Sequence, residues 1–543
     1  MNSRSKEVLE LPIALKLSSD GIVHPEELFG PIEEQTLIGD ARVTTIPPKG
    51  FLVLDFGREA FGSVRLQIIS IDDSLPLNFR LRTGESLSEA SSNVKEKGAT
   101  NDHSTRDALL YASPNSDMTW FQTGFRFVRI DNLSSSRPLK LHRVYRLSIE
   151  KAETPSFSFE SSSPRLNQII ATATHTIASC LQHGVIWDGI KRDQHVWAGD
   201  LFPEVLGALT LYPDPEEVPA SFALLLDHQD EASWINGLPL YNDWLAYAIL
   251  RYLERVPSSD SRYLSYLEKQ LDSLSPLIDE SGRIDFTRSN KPCDFPYFFD
   301  WPNHDNAVYS RLACEALLVT LLDEMASSYV LPSSLKEKAK SLSLRLSAYR
   351  GQLTSRKAIN AMEVLAHKID VKEGVDSILK GSAEGYSIFL TYFIGKALVE
   401  HGKTEEALHD LCQYYGAMID LGATTFFEDF DLSWTKNACR IDELPTQTQN
   451  DFHGDHGAYC YQGFRHSLCH GWSVGILPWT VETLLGIRFL TPDTIRFDPK
   501  PTSLQEIYGI IPSTLGDIQV SIKKGEPNLI VPKGMKVISI KRR

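Results

Sequence analysis

Fourteen residues, Trp187-Asp-Gly-Ile-Lys-Arg-Asp-Gln-His-Val-Trp-Ala-Gly-Asp200, bring three carboxylates, an arginine, a histidine and two tryptophans together, and Leu-Phe-Pro-Glu204 adds a fourth carboxylate. Pro203 is tolerated only in a helix's first turn. Asp200 therefore reads as lying near an N-cap, with Glu204 one turn in and a loop before them. Taken singly, Asp200 is most simply a cap, and Arg192 a partner for Asp188 or Asp193. Taken together, so many charges beside tryptophan exceed what packing requires. Carboxyl groups concentrated in this way suit acid–base chemistry.

A second stretch, Gly422-Ala-Thr-Thr-Phe-Phe-Glu-Asp-Phe-Asp-Leu-Ser-Trp434, sets Glu428, Asp429 and Asp431 among phenylalanines and Trp434. Apolar surroundings raise a carboxyl pKa toward the range useful for proton transfer, and a buried structural ion pair is the equally weighted alternative. A third, His466-Ser-Leu-Cys-His-Gly-Trp-Ser-Val-Gly475, places His470 at the start of a helix that Ser467 could cap. Cys469 has no base motif to activate it, so a polar pocket lining is the economical reading. A fourth set, Tyr241-Asn-Asp-Trp244 and Phe298-Phe-Asp-Trp-Pro-Asn-His-Asp305, supplies Asp243, Trp244 and Trp301. A lone tryptophan is ordinary core. Four clusters of tryptophan plus acid at loop–helix junctions fit a carbohydrate pocket, in which indoles stack on sugar rings and acids grip hydroxyls.

Three kinds of segment must position these residues. The first ~150 residues alternate with period two, as in Ser63-Val-Arg-Leu-Gln-Ile-Ile69, Leu77-Asn-Phe-Arg-Leu-Arg82 and Phe125-Arg-Phe-Val-Arg-Ile130, which predicts a β-sandwich. Polar Ser88–Asp107 reads as a long loop. From Arg165 the spacing turns helical and stays so to Leu485, with ten to twelve helices, among them 203–211, 240–255, 306–326, 333–349, 376–380 and 469–485. Paired helices with acid-rich connecting loops suggest an α/α toroid with a pocket at one end. Beyond Thr491, short strands at Ile495, Ile518–Ile522, Leu529–Val531 and Val537–Ile540 make a small β unit. No tandem repeat points to a solenoid.

With 543 residues, 42% of them hydrophobic, the chain is long enough for about three domains and a large core. A net charge of -15 gives no basic surface for nucleic acid. There is no run of apolar residues long enough for a membrane span. Met1–Leu17 lacks a signal-peptide pattern, which makes a cytoplasmic location the expectation. The seven cysteines form no CxxC pair and read as reduced core thiols. Without a Walker loop, a GxGxxG after a strand or HExxH spacing, no nucleotide cofactor and no catalytic metal is expected. No motif sets an oligomeric state.

These residues together resemble the α-L-rhamnosidases of glycoside hydrolase family 78, over nearly everything after residue ~50. Leu54-Asp-Phe-Gly57 with Gly62, Thr83-Gly-Glu85 and Gly124-Phe-Arg-Phe-Val128 are similar to that family's leading β-sandwich. Asp188, Arg192-Asp193, Trp197 and Gly199-Asp200 match its stretch of Asp, Arg-Asp-Glu, Trp and Gly-Asp. Gly422-Ala-Thr-Thr with Glu428, about 230 residues on, matches the stretch carrying its second glutamate, and His470 falls at its pocket histidine. The resemblance implies a multidomain chain. A jelly-roll-like β-sandwich (1–155) would precede a catalytic six-hairpin (α/α)6 barrel (156–488), with a small C-terminal β domain (489–543) after it.

The resemblance also implies inverting hydrolysis of a terminal α-L-rhamnosyl residue, with a carboxylic acid and a carboxylate roughly 6.5–9.5 Å apart. Glu428 would be the general base. The family's general acid is the glutamate of Arg-Asp-Glu, but this chain has Gln194 there, and the spacing to Trp197 is one residue shorter. The acid role then passes to Asp193, Asp200 or Glu204, with Asp193 first because it adjoins the vacated position. Otherwise the substrate's leaving group needs little protonation, the sugar is a different one, or the pocket binds sugar without cutting it. Asp188, Arg192, Gln194, Trp197, Asp243, Trp244, Trp301, Trp434 and His470 are the expected sugar-binding residues.

Overall fold

The computed structural model describes residues 5–30, 42–69, 77–113, 115–227, 232–346, 348–459 and 461–539. Cys460 and the last residue of the expected strand at 537–540 lie outside them.

Strands β1 (Ser5–Glu10), β2 (Ala14–Ser18), β3 (Thr44–Ile46), β4 (Phe51–Ile68), β5 (Leu77–Gly84), β6 (Asp107–Ala112), β7 (Ser116–Asn132) and β8 (Leu139–Lys151) form one hydrogen-bonded sheet. Its order is β1-β8-β4-β7-β5-β6, with β2 on β4 and β3 on β8. The long pair β4–β7 shifts register between Asp55 and Ala60 and again between Gly62 and Val64. Bulges bend strands and sharpen their twist, so the sheet wraps over its own core. That core runs from Leu52, Leu54 and Val64 on β4 to Phe79, Phe125 and Val144.

The expected loop at 88–107 begins with a short helix, α1 (Leu87–Ser91). Ser86 and Glu89 explain it: the Ser86 side chain accepts from the Glu89 N–H while Glu89 Oε2 accepts from Glu85 N–H, a reciprocal cap.

The helical region comprises α2 (Pro164–Cys180), α3 (Leu201–Leu211), α4 (Glu217–Asp227), α5 (Pro239–Leu253), α6 (Ser261–Leu274), α7 (Ala307–Ser327), α8 (Ser333–Leu346), α9 (Lys357–Leu365), α10 (Val371–Leu379), α11 (Thr391–Glu400), α12 (Thr404–Asp420), the single-turn α13 (Phe452–Asp455) and α14 (Ile476–Trp479). A 3-10 turn, Gly471–Val474, leads into α14, and a π turn, Thr480–Leu484, follows it. Two classes of helix alternate. Every residue of α3 and α9 is buried. By contrast α6 buries a single stripe, Tyr263, Tyr266, Leu267, Gln270, Leu271 and Leu274, and α10 only Gly374, Val375 and Ile378. Helices apolar all round belong inside and striped helices outside. Accordingly α3 packs on α5, α5 on α7, α7 on α9, α9 on α11, α11 on α14, and α14 back on α3.

Two small sheets follow. Ile487–Thr491, Thr494–Phe497 and Lys536–Ser539 make one. The other joins Glu506–Ile511, Ile518–Lys523 and Glu526–Ile530 to Ser158–Ser161, which lies just before α2. The C-terminal β unit is thereby tied to the chain segment where the sheet hands over to the helices.

Candidate active site

The loops that enter α3, α7, α11 and α14 all open at the N-terminal ends of the inner helices, and the loop after α12 reaches the same end. Asp188–Asp200 precedes α3, Asp300 precedes α7, Ser387 precedes α11, and His470 precedes the turn into α14. Glu428 lies on the loop after α12.

Glu428 and the Asp188–Asp200 loop meet. Arg192 Nη2 donates to both Glu428 oxygens, at 2.7 and 2.8 Å, and Arg192 Nη1 donates to Asp193 Oδ2 at 2.6 Å. One guanidinium therefore bridges the two carboxyl groups. Arg192 is held in turn by the Arg465 carbonyl at 2.9 Å and lies over the Tyr461 ring. Glu428 Oε2 accepts the Ser467 N–H at 3.0 Å, and Trp472 Nε1 donates to the Glu428 carbonyl. His470 Nε2 lies 3.4 Å from Glu428 Oε1 and 3.9 Å from both Asp188 and Asp200.

The electrostatics divide these acids. Burial alone would raise the Glu428 pKa, but the Arg192 charge and His470 outweigh it and hold the carboxyl well below the usual range. Asp200 and Asp188 are pushed well up, first by burial, then by the neighbouring carboxylates. Asp200 stands at the N-cap position of α3 but makes no capping bond, so the capping role expected of it is not filled. Asp188 accepts the His195 N–H at 2.9 Å.

Asp193 and Gln194 are consecutive residues in the left-handed region, with φ of 57° and 53°. Gln194 Nε2 donates to the Ile190 carbonyl at 3.1 Å. Asp193 keeps its side chain 15% exposed, while Arg192 and Glu428 are 4% and 1% exposed.

Three expected site residues are fully buried. Trp244 is fully buried among Phe202, Phe299, Phe389 and Phe393, inside the ring of helices. Asp243, also fully buried, accepts from Gln270 at 2.7 Å, and burial raises its pKa to about 7. Neither has surface to offer a sugar; α5 is buried on nearly all faces, so these positions serve its packing. Glu204 is fully buried with both oxygens unpartnered. It packs under Gly471, where an added Cβ would lie 2.4 Å from its Oε1. Trp197 is half-buried, edge-on to His195 and Tyr241. Trp434 is half-buried too, stacked on His456.

Trp301 lines a hollow beside Glu428 together with Asp300, Phe389, Asp429, Tyr461 and Trp472. The hollow is about 10 Å³, room for one water. Trp301 Nε1 donates to Tyr461 OH at 2.8 Å across its edge. Asp300 and Asp429 bring raised pKa values, about 6 and about 7; burial is the main cause in both, and for Asp429 the Glu428 charge adds to it. Asp300 and Tyr461 were absent from the expected set. Asp300 is flanked by Trp301 in the sequence, the signal that could have found it, whereas nothing around Tyr461 marks it.

The N-terminal sheet backs the site. Gly124 N–H and the Thr123 hydroxyl donate to the Ile190 and Lys191 carbonyls at 2.7 and 3.0 Å. A Cβ at Gly124 would lie 2.5 Å from the Ile190 side chain, so only glycine fits this approach. Glu85 accepts from Leu468 N–H at 2.7 Å and from the Ser467 hydroxyl at 3.1 Å, and Lys191 Nζ lies 3.0 Å from it. The six described cysteines are free. No helix among the described residues is long and apolar enough to cross a membrane.

No family model and no curated protein sequence matches the chain. Solved structures do. The family 78 rhamnosidase of Bacillus sp. GL1 is similar over 95% of this chain and 55% of its own, at 17% identity and a TM-score of 0.70. A rhamnosidase from Klebsiella oxytoca with rhamnose bound matches 88% of this chain and 95% of its own, at 18% and 0.68. The Streptomyces avermitilis α-L-rhamnosidase complexed with L-rhamnose matches 98% and 50%, at 16% and 0.66. The chain thus spans about half the length of the Bacillus and Streptomyces enzymes and nearly all of the Klebsiella one. At these identities the likeness is one of architecture: the chain has the fold of the α-L-rhamnosidases.

Proposed function

We propose that the protein is a glycoside hydrolase that releases a terminal α-L-rhamnosyl residue with inversion, from a site at one end of a six-hairpin (α/α)6 barrel. The barrel would span 156–488, between β domains at 1–155 and 489–543. The observation that carries the reading is the single guanidinium of Arg192 bridging Glu428 and Asp193. An inverting pair works across a sugar and a water, roughly 6.5–9.5 Å apart, and Arg192 fixes both carboxyl groups at the mouth of one site. The shared fold with rhamnosidases solved with the sugar bound supports rhamnose over other sugars.

The roles follow from the electrostatics. Glu428 is ionised at neutral pH and takes the proton of the attacking water. Asp193 adjoins Gln194 and keeps its side chain 15% exposed, and it protonates the departing oxygen in place of Gln194, whose amide has no proton of useful acidity. Asp188, Asp200 and His470 grip sugar hydroxyls, with Asp188 and Asp200 held neutral as donors by burial. For a sugar to reach Glu428, the Trp301–Tyr461 contact must part, because the hollow as it stands holds one water.

A second reading, a sugar-binding relative without turnover, is favoured by Gln194 and by that small hollow. A panel of 4-nitrophenyl glycosides separates the two. Hydrolysis of the α-L-rhamnoside above all others supports the proposal. Preference for another sugar, or rhamnose binding without release of nitrophenol, overturns it.

A further inference from the structure

We propose that His103, carried by the N-terminal β domain, is a positioning residue that keeps Asp193 supplied with protons, so that the acid half of the site spans two domains. The inference rests on the glycosidase reading above and deepens it.

His103 lies on the segment between β5 and β6, and its Nδ1 is in ion-pair contact with Asp193 Oδ1. The other Asp193 oxygen accepts from Arg192, so Arg192 holds one oxygen by a hydrogen bond while His103 lies against the other without one. The segment is pinned to the far wall. Asp102 pairs with Arg465, whose carbonyl anchors Arg192, and the Ser104 hydroxyl donates to the Gln122 carbonyl at 3.0 Å. Both partners of the contact adopt left-handed backbone, His103 at φ 63° and Asp193 at φ 57°. Non-glycine residues in that region carry strain, and the surrounding structure must over-determine them. The charged groups around His103 are Asp193 and Asp102 in the first rank, then Arg192 and Arg465 bound to those two.

Exposure gives the direction of proton flow. His103 is 50% exposed and Asp193 only 15%. An inverting cycle ends with the acid deprotonated and the base protonated. In each turnover the Asp193 proton goes to the glycosidic oxygen, which also keeps the electron pair of the broken C–O bond. Water bonds to the anomeric carbon and gives its proton to Glu428. The Asp193 carboxylate then takes the proton from Nδ1 of the His103 imidazolium, the imidazole is reprotonated by solvent, and Glu428 releases its proton to solvent.

Steady-state kinetics of His103→Gln and His103→Ala test this with phenyl, 4-nitrophenyl and 2,4-dinitrophenyl α-L-rhamnosides. The expected result is a kcat loss of about 10-fold or more on the phenyl glycoside, against about 3-fold or less on the dinitrophenyl one, whose departure needs little proton help. KM should stay unchanged. The alkaline limb of the pH profile should move in both variants. Equal losses on all three substrates, or an unmoved alkaline limb, overturn the proposal. A wild-type chain that hydrolyses no glycoside would instead refute the rhamnosidase reading. The contact itself is then decided by NMR titration of the His103 imidazole. Asp193→Asn should lower its midpoint by about one unit or more; an unchanged midpoint refutes the pairing.

Discussion

Glu428→Gln isolates the charge at the centre of the site. Three N–H contacts converge on the Glu428 oxygens: two from Arg192 Nη2, at 2.7 and 2.8 Å, and one from Ser467, at 3.0 Å. An amide keeps one acceptor and turns an NH2 toward a donor. Removing one partner of a buried ion pair costs about 3–5 kcal/mol when the other is left alone. Arg192 is not left alone, since Asp193 still holds Nη1, so the loss should be about 2–3 kcal/mol. Loss of the general base should lower kcat by about 10²–10⁴ with KM nearly unchanged. Urea unfolding and hydrolysis of 4-nitrophenyl α-L-rhamnoside measure the two effects. The stability difference also has a pH signature. The folded-state pKa of Glu428 is depressed, so its contribution is complete above the unfolded carboxylate value of about 4.3 and is lost as pH falls through the folded value. The gap between wild type and variant should therefore close in acid. A variant that keeps kcat within about 10-fold of wild type, or whose stability deficit grows in acid, refutes the assignment.

Three further outcomes follow from the packing. Gln194→Glu should not create a better acid: it replaces a donor to the Ile190 carbonyl with a carboxylate, so a stability loss of about 1–3 kcal/mol and no rise in kcat are expected; a rise in kcat would return the acid to position 194. Glu204→Gln should stabilise the protein at pH 8 by about 1–3 kcal/mol and little at pH 4. Its folded-state pKa is raised by burial and then by Asp200, so stability is complete below the unfolded value and falls as pH rises toward the folded one; thermal melts at the two pH values check the sign. Trp244→Ala should cost about 3–5 kcal/mol, measured by urea unfolding, as a core truncation, whereas a pocket residue would lower activity with the melting point intact.

Much of this architecture was legible because it rests on period. The alternation in β4, β5 and β7 and the stripes of α2 and α6 are contrasts between buried and exposed faces, and sequence displays such contrasts. Helix α9 hides in the sequence because its polar residues Lys357, Asn360 and Glu363 are buried along with its apolar ones, so no exposed face answers to their helical spacing. Helix α10 begins at Val371, five residues before the expected 376–380, where Val371, Val375 and Ile378 carry the apolar spacing and the Asp370 side chain caps the Glu373 N–H. At the site, the meeting of Glu428 with the 188–200 loop is implied by the resemblance to the family 78 rhamnosidases. Which acids are reachable is not. Trp244 and Trp301 look alike as letters, yet one sits on a helix buried all round and the other on a loop. In the sequence His103 is one residue of the polar stretch 88–107, and only the folded chain brings the β5–β6 segment to Asp193.

The central claim is that Glu428 and Asp193 act from opposite sides of one sugar, and the stereochemistry of the first product tests it most directly. Proton NMR should follow hydrolysis of an α-L-rhamnoside before mutarotation sets in. The β-anomer of rhamnose appearing first is the predicted result. The α-anomer appearing first, or no rhamnose at all, would contradict it.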